Sequence, residues 1–170
     1  INQVAGQQIV FSPAWISLGD VPIIAKGTIT IIQGKAGSHK SRLAEMLSSL
    51  LLSNSGKNPV GLSKYKGSAG YYLAYIDTER STAEDFPAAV QRIRHQAGHS
   101  KTEDLRNFFP VSVKTENRDN RLHAVRTWID YVRTTMMERG VADWNLSVVL
   151  DVVTDCAASF NDDRETLALF

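Results

Sequence analysis

Apolar residues recur along this chain in two alternating rhythms, one suited to strands and one to helices. The segment TITIIQG, 28–34, is β-branched and apolar and closes on Gly34, which predicts a buried strand. Leu43, Met46, Leu47, Leu50 and Leu51 then follow at helical spacing and predict a helix over 41–53. Residues 54–70, NSGKNPVGLSKYKGSAG, have no period and are rich in Gly, Ser and Lys. They predict a long loop, of a length usual for functional or mobile segments. YYLAYID at 71–77 predicts a second strand, and Phe86, Val90, Ile93 and Ala97 mark one face of the helix after it. Ser81 and Glu84 have capping-box spacing. A start there would leave Pro87 past the first turn, so the helix is expected to begin near Asp85.

NFFPVSV at 107–113 predicts a short third strand, weakened by Pro110. Leu122, Val125, Ile129, Val132 and Met136 predict a long helix that stops at Arg139 and Gly140. LSVVLDVV at 146–153 is nearly continuous in apolar residues, the pattern of a strand in the middle of a parallel sheet. The alternation of strand and helix predicts an α/β fold, with a mainly parallel central sheet flanked by helices.

Chemistry enters at the first strand–helix junction. Residues 34–41, GKAGSHKS, satisfy the phosphate-loop pattern G-x-x-x-x-G-K-[ST] at every fixed position but one, where His39 replaces the second glycine. In a phosphate cradle, Gly34, Lys35, Ala36, Gly37, Ser38 and His39 would line the nucleotide with backbone N–H groups. The N-terminus of the next helix would add its positive end. Lys40 would reach the β- and γ-phosphates, and the Ser41 hydroxyl would ligate Mg²⁺. His39 is expected to take ordinary helical dihedrals and to crowd the phosphates rather than strain the backbone. The competing reading is a Gly/Ser-rich turn with an incidental lysine; the flanking strand and helix favour the cradle.

Two further acidic positions bear on the same chemistry. YIDTERS at 75–81 sets Asp77 and Glu79 at the C-terminal edge of a strand, where open α/β sheets bind ligands. A carboxylate there can orient or deprotonate an attacking water; the alternative is an acidic turn that caps the next helix. Asp151 closes SVVLD, which suits an aspartate that holds Mg²⁺. Val152 follows it, so a catalytic carboxylate would have to come from a neighbouring strand, and Glu79 is the candidate.

Composition narrows the classes. With 43% hydrophobic and 22% charged residues the chain is an ordinary globular one, and its 170 residues suffice for a single domain with a substantial core. Lys and Arg total 19 against 18 acids, so bulk charge names no partner. No apolar run approaches the length of a membrane span. The single cysteine, Cys156, forms no internal disulfide and fits a reducing compartment, so a cytoplasmic protein is expected. Cys156 itself reads as a small buried residue. Lys57, Lys64 and Lys66 in the 54–70 loop, and Arg118, Arg121, His123 and Arg126 later, form basic groups that read as solvated surface before they read as phosphate contacts. The first residues, INQVAGQQ, lack an initiator Met, and RETLALF ends inside a helical pattern. The expectation is the N-terminal part of a longer protein, truncated on its C-terminal side.

The phosphate loop at 34–41, the D-x-E step at 77–79 and the apolar strand ending in Asp151 together resemble the RecA-like ATPase core. Within it they resemble most the RepA-type helicases and ATPases of bacterial mobile elements and phages. The lead-in from Trp15 to Leu51, and LDVVTDCAASFNDDRET with its second acid at Asp155 and its ND step, are similar to corresponding parts of that group. The resemblance implies a single RecA-like P-loop domain over 1–170 that binds ATP and Mg²⁺. It gives Lys40 and Ser41 the phosphate and metal roles, Glu79 with Lys40 the catalytic role, and Asp151 the second metal role, with Asp155 near the site. It further implies ATP hydrolysis coupled to DNA replication, unwinding or mobilisation, with single-stranded DNA as partner, in a homo-oligomer such as a hexamer. The alternatives are a nucleotide-binding regulatory module that hydrolyses little, and a P-loop kinase acting on a small molecule, against which the D-x-E strand argues.

Overall fold

A computed structural model describes residues 13–56, 58, 60–67 and 70–156. The chain runs through β1 (Ala14–Leu18), β2 (Val21–Ala25), α1 (Lys40–Leu52), β3 (Leu62–Lys64), β4 (Gly70–Asp77), α2 (Asp85–Gln96), β5 (Phe108–Ser112), α3 (Arg118–Glu138) and β6 (Trp144–Asp151). A 3-10 turn over Val153–Cys156 follows. Two three-stranded sheets result, an antiparallel one in the order β2-β1-β3 and a parallel one in the order β5-β4-β6. The α/β alternation and the parallel sheet expected from the sequence are present.

Why the parallel sheet is covered on both faces follows from the period of two in β4. Leu73 and Tyr75 point to one side and pack with Val90 and Ile93 of α2, Ala97 just after it, Leu52 of α1 and Phe108. Ala74 and Ile76 point to the other side, where Val132 and Met136, and separately Val125, of α3 cover them. Leu73, Ala74, Tyr75, Ile76, Ile93, Val132 and Met136 have no exposed surface, so truncating any one of the larger side chains to Ala costs about 2–5 kcal/mol. A fourth cluster joins the sheets: Leu47, Leu50 and Leu51 of α1 pack on Trp15, Ile16, Leu62 and Tyr71.

The helices start and stop where local chemistry directs. α2 begins at Asp85 with Pro87 in its first turn, as expected. α3 ends against Gly140, whose φ of 66° supplies the left-handed cap. α1 starts at Lys40, and Lys64 donates from Nζ to the carbonyls of Leu51 and Ser53 at its far end. Its burial, and then the charge of Lys66, lower the Lys64 pKa.

Three expectations need correction. Residues 28–34 join no described ladder, and Ile29 and Ile31 are 76% and 58% exposed; only Ile32 packs, against the α1 cluster. β-branched residues favour extended backbone, but a strand exists only where it pairs with another, and 28–34 pairs with none of the described strands. The strand expected in mid-sheet, β6, lies at the edge of its sheet, and β4 is central. Its apolar residues still pack on both faces, Val149 on the α2 side and Leu146 and Leu150 on the α3 side, while Val148 is 42% exposed. The loop expected over 54–70 contains β3, whose pairing with β1 local pattern does not announce. Residues 14–25, for which the apolar pattern predicts no element, form the β1–β2 hairpin. No helix among the described residues is long and apolar enough to cross a membrane.

Candidate functional site

The 34–41 segment curls back on itself. Lys40 extends from the first position of α1 and donates from Nζ to the carbonyls of Gly34 at 2.9 Å and Lys35 at 3.0 Å. The Ser38 N–H reaches the Lys35 carbonyl at 3.2 Å, and Gly37 takes a φ of 76°, a left-handed conformation that glycine adopts without strain. At Gly34 a β-carbon would stand 2.5 Å from Ser38 Oγ, so the loop closes tightly there.

His39 departs from expectation. Its φ of 59° and ψ of 29° are left-handed, not helical, and it is the one described non-glycine residue with positive φ. The turn therefore demands at this position the conformation that a glycine gives freely, and His supplies it at a cost of about 1–2 kcal/mol. Histidine is among the residues enriched in this region, which makes the substitution tolerable. No side chain caps the start of α1, and its own first turn holds no acid.

One hydrogen bond connects this loop to the distant acid. Ser41 Oγ donates to Asp151 Oδ1 at 2.9 Å, across 110 residues of sequence. Asp151 is 9% exposed at the end of β6, directly in register with Asp77 at the end of β4. Its other oxygen, Oδ2, accepts from the Tyr75 hydroxyl at 3.0 Å and faces Arg80 Nη2 at 3.0 Å. Thr78 ties the two strand ends together: its N–H donates to the Asp151 carbonyl, and its hydroxyl bonds both the N–H and the carbonyl of Val152.

The two acids of the D-x-E step separate into different roles. Asp77 is 1% exposed; its Oδ1 accepts the backbone N–H groups of Glu79 and Arg80, and its Oδ2 faces Arg80 Nη1 at 2.6 Å. Burial raises the Asp77 pKa, and the backbone donors and Arg80 offset part of that rise. Asp77 builds the turn. Glu79, one step beyond it, is exposed, and its carboxylate pairs with none of the described residues. The turn built by Asp77 holds Glu79 at the sheet edge where a ligand would arrive.

Sequence reasoning missed the charged cluster behind these residues. Glu45, one turn past Ser41 on α1, is 1% exposed and pairs with Arg80 at 3.1 Å and with both Nε and Nη2 of Arg92 at 3.0 Å. Arg42 adds a contact from the surface. The signal was a lone acid on the apolar side of α1, between Ala44 and Leu47, which stays charged when buried only if cationic partners reach it. Arg80 also donates to the Tyr75 hydroxyl at 3.0 Å. Burial and the neighbouring Asp151 push the Tyr75 pKa far up. Burial opposes the charge on Arg80, but Tyr75, Asp151 and Asp77 outweigh it and push its pKa up.

Other sequence candidates lie elsewhere. Asp155 turns to Arg121 and Arg118, at 3.4 and 3.5 Å, and Arg121 also braces the carbonyls of Lys114 and Glu116. Cys156 is buried against α3, as expected. Lys57 and the ND step at 161–162 lie outside the described residues.

The donors fit one metal. Ser41 Oγ and the Asp151 carboxylate are hard oxygen ligands 2.9 Å apart, the kind that Mg²⁺ takes. Among the described residues no three His, Cys, Asp or Glu side chains converge on a self-sufficient metal site. A Mg²⁺ bound here would complete its shell with water and phosphate oxygens, as that ion commonly does beside nucleotides. Comparison of the chain with known protein families, with curated proteins and with solved structures gives no match, so function is argued from this geometry.

Proposed function

We propose that the chain is a Mg²⁺-dependent ATPase of the RecA-like P-loop type. The observation that carries this reading is the Ser41–Asp151 hydrogen bond. A loop-closing lysine has many origins. A hydroxyl at the start of a helix that meets a buried carboxylate at a parallel strand's end, beside a glycine loop and an uncapped helix N-terminus, is the donor set that a Mg-nucleotide requires.

In this reading the Lys40 ammonium exchanges its two loop carbonyls for β- and γ-phosphate oxygens. The loop N–H groups and the start of α1 take up further negative charge. Ser41 and Asp151 would hold Mg²⁺, which supplies charge neutralisation on the phosphates. Glu79 orients the attacking water and accepts its proton as the water oxygen bonds to the γ-phosphorus and the ADP oxygen departs. The setting we propose is work on DNA, single-stranded by preference, in a homo-oligomeric ring such as a hexamer.

A second reading has its own observation. The strained His39 sits directly before Lys40, which suits a module that keeps ATP as a regulatory ligand and hydrolyses little. ATP turnover measured against protein concentration, with and without single-stranded DNA, separates the two. Lys40→Ala should lose nucleotide binding or turnover. Glu79→Gln should keep binding and lose turnover by about 10²–10⁴-fold. Tight ATP binding with no turnover under any of these conditions favours the regulatory module. Hydrolysis by Lys40→Ala at the parent rate sinks the ATPase reading.

A further inference from the structure

We infer that Arg80 is the positioning residue of the metal-holding carboxylate, setting Asp151 so that one oxygen faces Ser41 and the phosphate loop. The inference rests on the P-loop reading above and goes beyond it, since the phosphate-loop pattern contains no residue of this kind.

Asp151 has two oxygens and they are divided between different partners. Oδ1 accepts from Ser41, and Oδ2 lies between Arg80 Nη2 and the Tyr75 hydroxyl, each at 3.0 Å. With Oδ2 held from two directions, rotation of the carboxylate is restricted, and Oδ1 is presented toward α1. Tyr75 is itself oriented, because Arg80 Nη1 donates to the hydroxyl that donates to Asp151. Arg80 therefore acts on Oδ2 directly and through Tyr75.

The guanidinium is in turn anchored by two buried carboxylates. Asp77 takes Nη1 at 2.6 Å, and Glu45 takes Nη2 at 3.1 Å. These partners come from β4 and α1, so one planar cation joins the P-loop helix, the D-x-E strand and the strand bearing Asp151. Its side chain is 16% exposed, which keeps the contacts little screened by solvent. A lysine carries the charge but lacks the fork needed to serve Glu45, Asp77, Tyr75 and Asp151 together. The Arg80 backbone N–H also bonds Asp77 Oδ1, so the same residue helps hold the turn from which Glu79 projects.

Positioning of this kind should be felt as metal affinity. Partners that orient a metal ligand typically govern affinity by 10–100-fold. The test is calorimetric titration of ADP into the whole chain, in EDTA and across a series of MgCl₂ concentrations, for the parent, Arg80→Met, Arg80→Lys and Tyr75→Phe. Folding is followed by circular dichroism and urea unfolding. The expected result is that ADP affinity in EDTA stays within about twofold of the parent. The Mg²⁺ concentration for half-maximal enhancement should rise about tenfold or more in Arg80→Met and less in Arg80→Lys. Tyr75→Phe, which removes one of the two groups on Oδ2, should move the same way. It carries the test should Arg80→Met fail to fold. A parent that binds ADP with Mg²⁺ enhancement, alongside folded variants with an unchanged Mg²⁺ requirement, overturns the role of Arg80 alone. A parent whose ADP binding ignores Mg²⁺ overturns the P-loop reading and this inference together.

Discussion

Replacing Glu45 by Gln tests the charged cluster most severely. The Glu45 carboxylate is 1% exposed and accepts from Arg42, from Arg80 and twice from Arg92, at 3.0–3.1 Å. Glutamine keeps the shape but offers one acceptor oxygen, and it turns an NH₂ donor toward guanidinium donors. The Arg42 contact contributes little, because that side chain is 55% exposed and its charge is well solvated. Arg92 is 34% exposed and Arg80 16%, so the loss concentrates on these two. About two charge-assisted hydrogen bonds at roughly 1.5–3 kcal/mol each give an expected loss of about 3–6 kcal/mol. Breaking a buried ion pair from one side gives a similar figure.

Against a usual domain stability of about 5–15 kcal/mol this is a large fraction. Urea unfolding should read it directly, and thermal unfolding should show a fall of roughly 6–24 °C for a chain of this size. Arg42→Ala is the internal control and should change stability by less than about 1 kcal/mol. A Glu45→Gln variant within about 1 kcal/mol of the parent would refute the reasoning, because Glu45 would then have water or alternative donors in place of its arginines.

Three further outcomes are expected. Gly37→Ala should cost about 1–2 kcal/mol in urea unfolding from its φ of 76° alone, since nothing lies within 4 Å of the added methyl; a silent substitution would contradict the loop conformation. His39→Gly should relieve strain of similar size while adding about 0.5–1 kcal/mol of chain entropy cost, so its net effect on stability should stay within about 1 kcal/mol. Burial raises the Cys156 pKa above its ordinary 9.0, so the native fold favours the thiol. That contribution to stability is complete below pH 9.0 and fades as pH rises through the folded value. Alkylation at pH 8 should accordingly be slow until urea unfolds the chain, and a native rate equal to that of a free thiol would place Cys156 at the surface.

Local chemistry decided much of this protein by itself. Period and punctuation were enough for β4, α2 and α3, because apolar spacing, a proline in the first turn and a capping glycine act within a few residues. The phosphate-loop pattern was legible for the same reason: Gly34, Gly37, Lys40 and Ser41 are neighbours, and the Lys40 contacts close within six residues. Tertiary structure alone decided the rest. Whether 28–34 becomes a strand depends on an edge supplied from elsewhere, and no local pattern carries that. His39 took its left-handed φ from the closure of the whole turn rather than from its own preference. Arg80 and Glu45 stand 35 residues apart, and Ser41 and Asp151 stand 110 apart. A buried charge must find its counter-charge wherever the fold brings one, so its partner is written in the packing of α1 against the ends of β4 and β6.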